Sequence, residues 1–475
     1  MPETIFSESS VISTIDSPAA STTTNGRFHA LEDSSSNGHF APLAQQLLTK
    51  TADHKAVIGV LGLGYVGLPL ATAFAAAGFK TFGFDPNRAT VGLLQSGHSH
   101  IGDVAASTVK NLVDAGTFSA TDDFSQLRDC DVAIICVPTP LTNTRDPDMK
   151  YIISACEAIK PHVHEGMLVI LESTTFPGTT NDVTRPILEE NGLVAGKDFF
   201  LAFSPERIDP GNEKFPIHKV PKVVGGHTPD CLKVACALYD SIVERTVPVS
   251  STQAAELTKL LENIFRSVNI ALVNEMAMLC DRMEIDIWEV IDAASTKPYG
   301  YTRFLPGPGL GGHCIPIDPF YLSWKAREFK FQTQFIELAG EINHAMPRFV
   351  VNKLMRALND EGKAIRGSRI GLLGMSYKAN VGDCRESPSV EIAELLSELG
   401  AELIYHDPYV ESVTIDDHVF TSQSLEQTLD TDCVVLLTDH KAYDYNAIAA
   451  QARLILDTRN AFCKVESSQA KIIKL

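Results

Sequence analysis

The chain has no CxxC pair, no His/Cys cluster at metal-ligand spacing, and no run of about 18 or more apolar residues. Its ten cysteines, among them Cys130, Cys136, Cys231, Cys236, Cys280 and Cys433, are scattered through apolar segments. That pattern excludes a disulfide scaffold and a structural metal site and points to a reducing compartment with mostly buried thiols. The missing apolar run excludes a membrane-spanning helix. The start, Met1-Pro-Glu-Thr-Ile-Phe-Ser-Glu, lacks the basic segment and apolar core of a secretory signal, so a cytosolic protein is expected. Positive charge is also short, with 40 Lys plus Arg against 59 Asp plus Glu and a net charge of −19. This balance excludes nucleic acid and an anionic membrane surface as partners. An anionic ligand must then find local positive potential at helix N-termini or at a few placed Lys and Arg.

What is present is organised in blocks. Residues 1 to about 50 are rich in Ser, Thr and Asn and hold too few periodic apolar positions to offset the entropy of ordering, so a tail over 1–50 is expected. From Lys55 the pattern changes. Ala56-Val-Ile-Gly-Val-Leu, Lys80-Thr-Phe-Gly-Phe-Asp85, Asp131-Val-Ala-Ile-Ile-Cys-Val and Met167-Leu-Val-Ile-Leu-Glu read as buried strands alternating with helices, a mostly parallel, doubly wound α/β unit over 51–247. Between Pro248 and Pro298 there is neither proline nor glycine, and Leu257, Leu260, Leu261, Ile264, Val268, Ala271 and Leu272 recur at helical steps. A long helix, breaking near Glu284, is predicted within a central segment 248–348. It would span roughly 50 Å and suit a domain bridge and dimer interface. After residue 349 the first pattern returns: Arg369-Ile-Gly-Leu-Leu-Gly-Met echoes Val57-Ile-Gly-Val-Leu-Gly-Leu, and Leu403-Ile-Tyr-His-Asp-Pro echoes Thr81-Phe-Gly-Phe-Asp-Pro. The expected fold is therefore α/β, two Rossmann-like doubly wound units joined by a long-helix central domain.

Gly62-Leu-Gly64-Tyr65-Val66-Gly67 follows a strand and opens a helix, and Asp85 ends the next strand. Glycines there allow a tight turn and close pyrophosphate approach, while the acid accepts ribose hydroxyls and repels a 2′-phosphate. NAD is the expected cofactor. Arg88 reads equally as a ribose or phosphate contact and as a surface charge. Thr139 and Thr175 end strands where ligands of open α/β sheets bind. Lys259 and Asn263 sit at i and i+4 on the long helix. By spacing alone they read as a solvated face, and only the rest of the constellation reverses that. Glu206 and Arg207 place a base and an anion-binding group after another strand.

The most informative stretch is Phe304-Leu-Pro-Gly-Pro-Gly-Leu-Gly311-Gly-His-Cys314-Ile-Pro-Ile-Asp318. Its glycines are expected to let backbone approach a ligand, and its thiol is a candidate nucleophile. A nicotinamide site alone suggests alcohol oxidation. Adding a thiol permits an aldehyde to be carried on to an acid through a thiohemiacetal and a thioester.

Together, GLGYVGLPLA, STTFPGT, SPERIDPGN, the ExxKLxxN helix, GPGLGGHCIPID and YKANVGDCRESP resemble the UDP-glucose/GDP-mannose dehydrogenase family from about Lys55 onward. The resemblance implies two NAD-linked oxidations of a nucleotide-sugar C6 alcohol. It implies Cys314 as nucleophile, with Lys259, Asn263 and Asp318 around the reacting carbon, and Asp318 or Glu206 managing the water. Arg207, Arg303, Gly311 and Lys378 would contact the UDP-sugar, and Arg385 the cofactor. The central helices would dimerise. Pro210 stands where the UDP-glucose branch carries a second glutamate, and the strings look most like members acting on UDP-N-acetylhexosamines. UDP-N-acetylglucosamine is therefore favoured over its mannosamine epimer and UDP-glucose. A two-electron hydroxyacid dehydrogenase, which needs no thiol, is the alternative.

Overall fold

A computed structural model describes residues 40–142, 144–207, 215–312, 314–416 and 418–475. Short, β-branched and aromatic runs form an eight-stranded sheet of β1 (Ile58–Leu61), β2 (Thr81–Phe84), β3 (Phe118–Thr121), β4 (Val132–Ile135), β5 (Leu168–Leu171), β6 (Phe200–Phe203), β7 (Lys222–Gly226) and β8 (Thr246–Val249). The order is β3-β2-β1-β4-β5-β6-β7-β8, parallel except where β7 runs against β6. β3 was not anticipated: Phe118-Ser-Ala-Thr carries too few apolar residues to read as a strand. Buried apolar side chains cover both faces of this sheet.

The second unit is a five-stranded, wholly parallel sheet ordered β10-β9-β13-β14-β15, from β9 (Arg369–Leu373), β10 (Glu402–His406), β13 (Cys433–Leu436), β14 (Leu454–Asp457) and β15 (Lys471–Lys474). A small hairpin of β11 (Ser412–Ile415) and β12 (His418–Thr421) lies beside it. Both sheets reverse strand order next to their first strand, and that switch point is where doubly wound sheets place ligands.

Between the units, α3 (Thr252–Met283) and α5 (Gln334–Asp360) pack together, with α4 (Asp318–Ala326) against them; these labels count only the helices named here, after α1 (Phe40–Ala52) and α2 (Gly67–Ala76). Ser251 caps α3, accepting from Ala254 N–H, and Glu284 ends it in the left-handed region at φ 57°. A buried amide relay joins the helices: Asn274 donates to Asn343 (2.9 Å), which donates to the Ser267 carbonyl (3.1 Å). Val273, Ala277, Met346 and Val350 share one core with Ile370 and Leu372 of the second sheet. Helical middle and second unit are thus welded through apolar contact.

The tail expected over 1–50 is corrected at its end. Residues 1–39 lie outside the described residues, but 40–52 form α1, whose Ala44 and Leu47 are buried in the first unit's core. Leu43, Ala44, Leu47 and Leu48 supply a narrow apolar stripe, and Lys50 closes on Asp131 at 2.5 Å. Among the described residues no helix is long and apolar enough to cross a membrane.

Candidate active site

The fingerprint turn is built around its glycines. Gly62 sits at φ +90°, and a Cβ there would meet the Cys136 carbonyl oxygen at 2.7 Å. A Cβ on Gly67 would lie 1.8 Å from the Gly62 oxygen, whereas one on Gly64 would meet nothing within 4 Å. Two glycines therefore shape the turn and the third leaves room for a pyrophosphate at the N-terminus of α2. Asp85 ends β2 half-buried, its Oδ2 accepting Leu63 N–H at 3.0 Å and its Oδ1 accepting Asn87 N–H at 2.9 Å. The second unit copies this device and then fills it. Asp407 accepts from Met375, Ser376, Tyr409 and Val410 N–H groups and from His440. Asp407 is buried and saturated, so it has nothing left for a ribose; Asp85 keeps free lone pairs. The first unit fits NAD: Asp85 would take the adenosine ribose and the turn at Gly64 the pyrophosphate.

This predicts a clean split between two alanine variants. Gly67→Ala is expected to give unfolded protein. Gly64→Ala should fold with an unchanged melting temperature but bind NAD more weakly, on the order of tenfold or about 1.4 kcal/mol, as read by calorimetric titration.

The thiol loop is reached from three sides. Lys259 and Asn263 are buried on α3, on the same face as Glu256, which overturns a solvated-face reading. Glu256 accepts from Gly178 N–H (2.6 Å), Thr180 N–H (2.9 Å) and Thr180 Oγ1 (2.7 Å), pinning the STTFPGT turn to the helix. Phe176, Leu260, Ile317 and Tyr321 form one apolar cluster under the site, and Tyr321 donates its hydroxyl to the Pro140 carbonyl at 3.0 Å. Cys314 precedes α4, and its carbonyl accepts Asp318 N–H at 2.8 Å. Asn263 Nδ2 donates to Asp318 Oδ2 at 2.5 Å.

Electrostatics separate the roles. Burial pushes the Cys314 thiol up to about 12; Asp318 adds to this, while Lys259, Arg385 and Arg266 oppose it. The resting group is thus a thiol needing a base. Burial raises Asp318 to about 7 against Lys259 and the Asn263 hydrogen bond, which makes it a base available near neutrality.

The glycines of this loop also permit close approaches within the protein. A Cβ on Gly311 would meet Tyr377 Cβ at 2.6 Å and the Glu386 oxygen at 2.9 Å, and one on Gly307 would meet Arg459 Nη1 at 2.7 Å. Gly312, at φ +78°, would strike the Tyr377 ring. Here the close approach is to the second unit. Gly312 N–H donates to the Arg385 carbonyl at 3.2 Å, and the Arg385 guanidinium lies 5.1 Å from the Tyr65 ring centroid while forking onto Asp383. One residue of the second unit therefore touches both the fingerprint turn and the thiol loop.

Other expected contacts are engaged elsewhere. Arg88 is highly exposed and pairs with Asp122 at 2.8 Å, as a surface charge would. Arg207 pairs with Glu262 at 2.7 Å and donates to the Pro221 carbonyl. Arg303 pairs with Asp292 at 2.6 Å. Thr175 is buried against Thr179 at 2.6 Å, and Thr139 sits half-buried in the loop that Tyr321 latches. Val66 forms the N-cap of α2. The Lys378 carbonyl accepts the Ser376 hydroxyl, in a loop further held by His440 Nδ1 accepting Asn380 N–H at 2.9 Å. Residues 208–214, with Pro210, and His313 fall outside the described residues.

Three features escaped the sequence reading: Arg459, Glu256, and a buried cluster of Glu172, Lys222 and Tyr239 beside Glu206. Lys222 Nζ lies 2.9 Å from Glu172 Oε2 and 3.6 Å from Glu206 Oε2, and the Tyr239 hydroxyl donates to Glu172. A lysine opening a buried strand was the one local signal.

Fold and site define an NAD-dependent oxidoreductase built from two nucleotide-fold units. Comparison with known proteins extends this. The models of the UDP-glucose/GDP-mannose dehydrogenase family match in order: NAD binding domain over 56–243, central domain over 253–345 and UDP binding domain over 371–464. The chain belongs to that family and is an NAD-dependent nucleotide-sugar dehydrogenase. It is 35% identical over 410 residues to a UDP-N-acetyl-D-mannosamine dehydrogenase of Pyrococcus horikoshii, covering 85% of this chain and 95% of that one. It is 37% identical over 355 residues to a UDP-N-acetyl-D-glucosamine 6-dehydrogenase of Pseudomonas aeruginosa, covering 74% and 83%. The solved structure of a UDP-D-ManNAc dehydrogenase from Pyrococcus horikoshii superposes with a TM-score of 0.80 at 34% identity, covering 88% of this chain and 98% of that one.

Proposed function

We propose that the protein oxidises the C6 hydroxyl of a UDP-N-acetylhexosamine, UDP-N-acetylglucosamine by preference, to the uronic acid in two NAD-linked steps. The observation that carries this is the convergence of Cys314, Asp318, Asn263 and Lys259 beside an NAD fold. NAD, when bound, would accept one hydride, so two NAD molecules are used in turn, one for each oxidation. Lys259 steadies the alkoxide formed from the C6 hydroxyl. Asp318, oriented by Asn263, takes the Cys314 proton as sulfur adds to the aldehyde carbon. The thiohemiacetal so formed loses the second hydride to give a thioester. Glu206 takes a proton from the water that releases the acid and restores the thiol. Lys378 and Arg459 of the second unit face the nucleotide half.

The preference for an acetamido sugar is supported by the relatives named for such substrates and by Pro210 in place of a second acid. A panel of UDP-glucose, UDP-N-acetylglucosamine, UDP-N-acetylmannosamine and UDP-galactose, followed for NADH and acid together, tests it. Two NADH per acid are expected, and equal turnover of UDP-glucose and UDP-N-acetylglucosamine would overturn the preference.

We also propose that the chain dimerises through α3. Leu261, Phe265, Leu272, Leu279 and Met283 leave apolar side chains exposed along it, Leu261 at 63%. Leu261→Glu is expected to halve the mass measured by light scattering. An unchanged mass would place the interface elsewhere.

A further inference from the structure

Two buried charges, Glu172 just past the carboxyl end of β5 and Lys222 at the amino end of β7, have no part in the chemistry assigned so far. Glu172 is 0% exposed and Lys222 5%. A buried ion pair is weak grounds for stability, since a well-packed apolar pair of similar volume does as well. What an apolar pair cannot do is set the charge of a third group. That group is Glu206, itself buried, whose Oε1 accepts Arg207 N–H at 2.6 Å and whose Oε2 faces Lys222.

The two distances to Lys222 differ in a way that matters. Its ammonium lies 2.9 Å from Glu172 and 3.6 Å from Glu206, so most of its charge is spent on Glu172. Tyr239 holds Glu172 in place from the far side and lays its ring 5.1 Å from the same ammonium. Arg207 is matched by Glu262, and burial keeps the Cys136 thiol protonated. Lys222 thus sets a positive charge against Oε2 of Glu206, while Glu172, which lies closer, takes the larger share of it.

We propose that Lys222 and Glu172 are positioning residues that set Glu206 as the base of the hydrolytic step; the assignment rests on the hydrolytic role given to Glu206 above. It predicts opposite effects from two variants. In Glu172→Gln the Tyr239 hydrogen bond survives, and Lys222 turns its whole charge on Glu206. The pH at which hydrolysis switches on should fall by about one unit, with a lower plateau. In the double variant Glu172→Gln/Lys222→Met the cation is gone and Glu206 is left without it. The switch should rise by about one unit.

The experiment is a single turnover of UDP-N-acetylglucosamine with NAD across pH 5–9. Acid quench and mass spectrometry of the Cys314 peptide follow the decay of the acyl-enzyme, and melting temperatures report folding. Shifts of opposite sign support the assignment. Shifts of the same sign, or none, in folded variants overturn it while the wild type still shows an acyl-enzyme. No acyl-enzyme in the wild type overturns the four-electron reading itself, and this assignment with it.

Discussion

Cys314→Ala, supplied with UDP-N-acetylglucosamine and NAD, is expected to lose acid formation on the order of 10³-fold or more, the scale seen when a covalent nucleophile is removed. The reason is electronic. A free aldehyde does not readily surrender hydride, whereas a tetrahedral sulfur adduct does. Cys130, Cys136, Cys156, Cys231, Cys280 and Cys433 are all buried in the cores. The first oxidation should survive, so rapid-quench samples of the variant should contain aldehyde and one NADH per site. Hydroxylamine should trap an acyl-enzyme in the wild type and none in the variant. Acid formation retained within tenfold would point instead to a two-electron dehydrogenase with an adventitious thiol.

Asp318→Asn is the second expected large effect, and it separates activity from stability. As a general base contributes typically 10²–10⁴-fold, kcat/KM should fall by about that much, and the rise of rate with pH near neutrality should disappear. Stability should move the other way. Asp318 is raised from 3.8 to about 7 in the folded protein, first because it is buried. A raised carboxyl favours the folded state only while protonated. Stability is therefore lost as pH climbs from the unfolded value through the folded one. Asparagine carries no such cost. The melting temperature of the variant should match the wild type near pH 4, exceed it increasingly up to pH 7, and hold that lead at pH 8. The gain is bounded by about 4 kcal/mol if the whole shift is realised. A variant less stable than wild type at pH 8 would mean that Asp318 is held by contacts that outweigh its burial.

Much of the framework was legible because it is local. The turn at Gly62 needs glycine in a left-handed conformation and a helix start within a few residues, so its chemistry is written contiguously. The long helix shows itself through uninterrupted three- and four-residue apolar spacing and ends at Glu284 as expected. The repetition of strand patterns after Arg369 marks the second unit for the same reason. Even Lys259 and Asn263 were visible as a pair, although spacing favoured solvent for them. The end of the tail was misjudged because only Leu43, Ala44, Leu47 and Leu48 of α1 pack at the core, and their value depends on a core they cannot see.

Long-range electrostatics were not legible. Glu256 looks like a helix-surface acid until the Gly178–Thr180 turn, far away in sequence, brings it two N–H groups. Lys222 opens the buried strand β7, and Arg459, just after β14, lies against Gly307. Burial decides the charge state of each, and burial is a property of the assembled layers.

By itself, then, the sequence determined the NAD turn, the α/β repetition and the bridging helix, because each follows from residue type at short spacing. Only the tertiary structure decided what the glycines beside Cys314 are for. They admit Tyr377, Glu386 and Arg459 of the second unit, since a Cβ at Gly307, Gly311 or Gly312 would collide with them. It also decided that Asp318 is a base near neutrality, because removing a carboxylate from water raises its proton affinity and no local pattern records that removal.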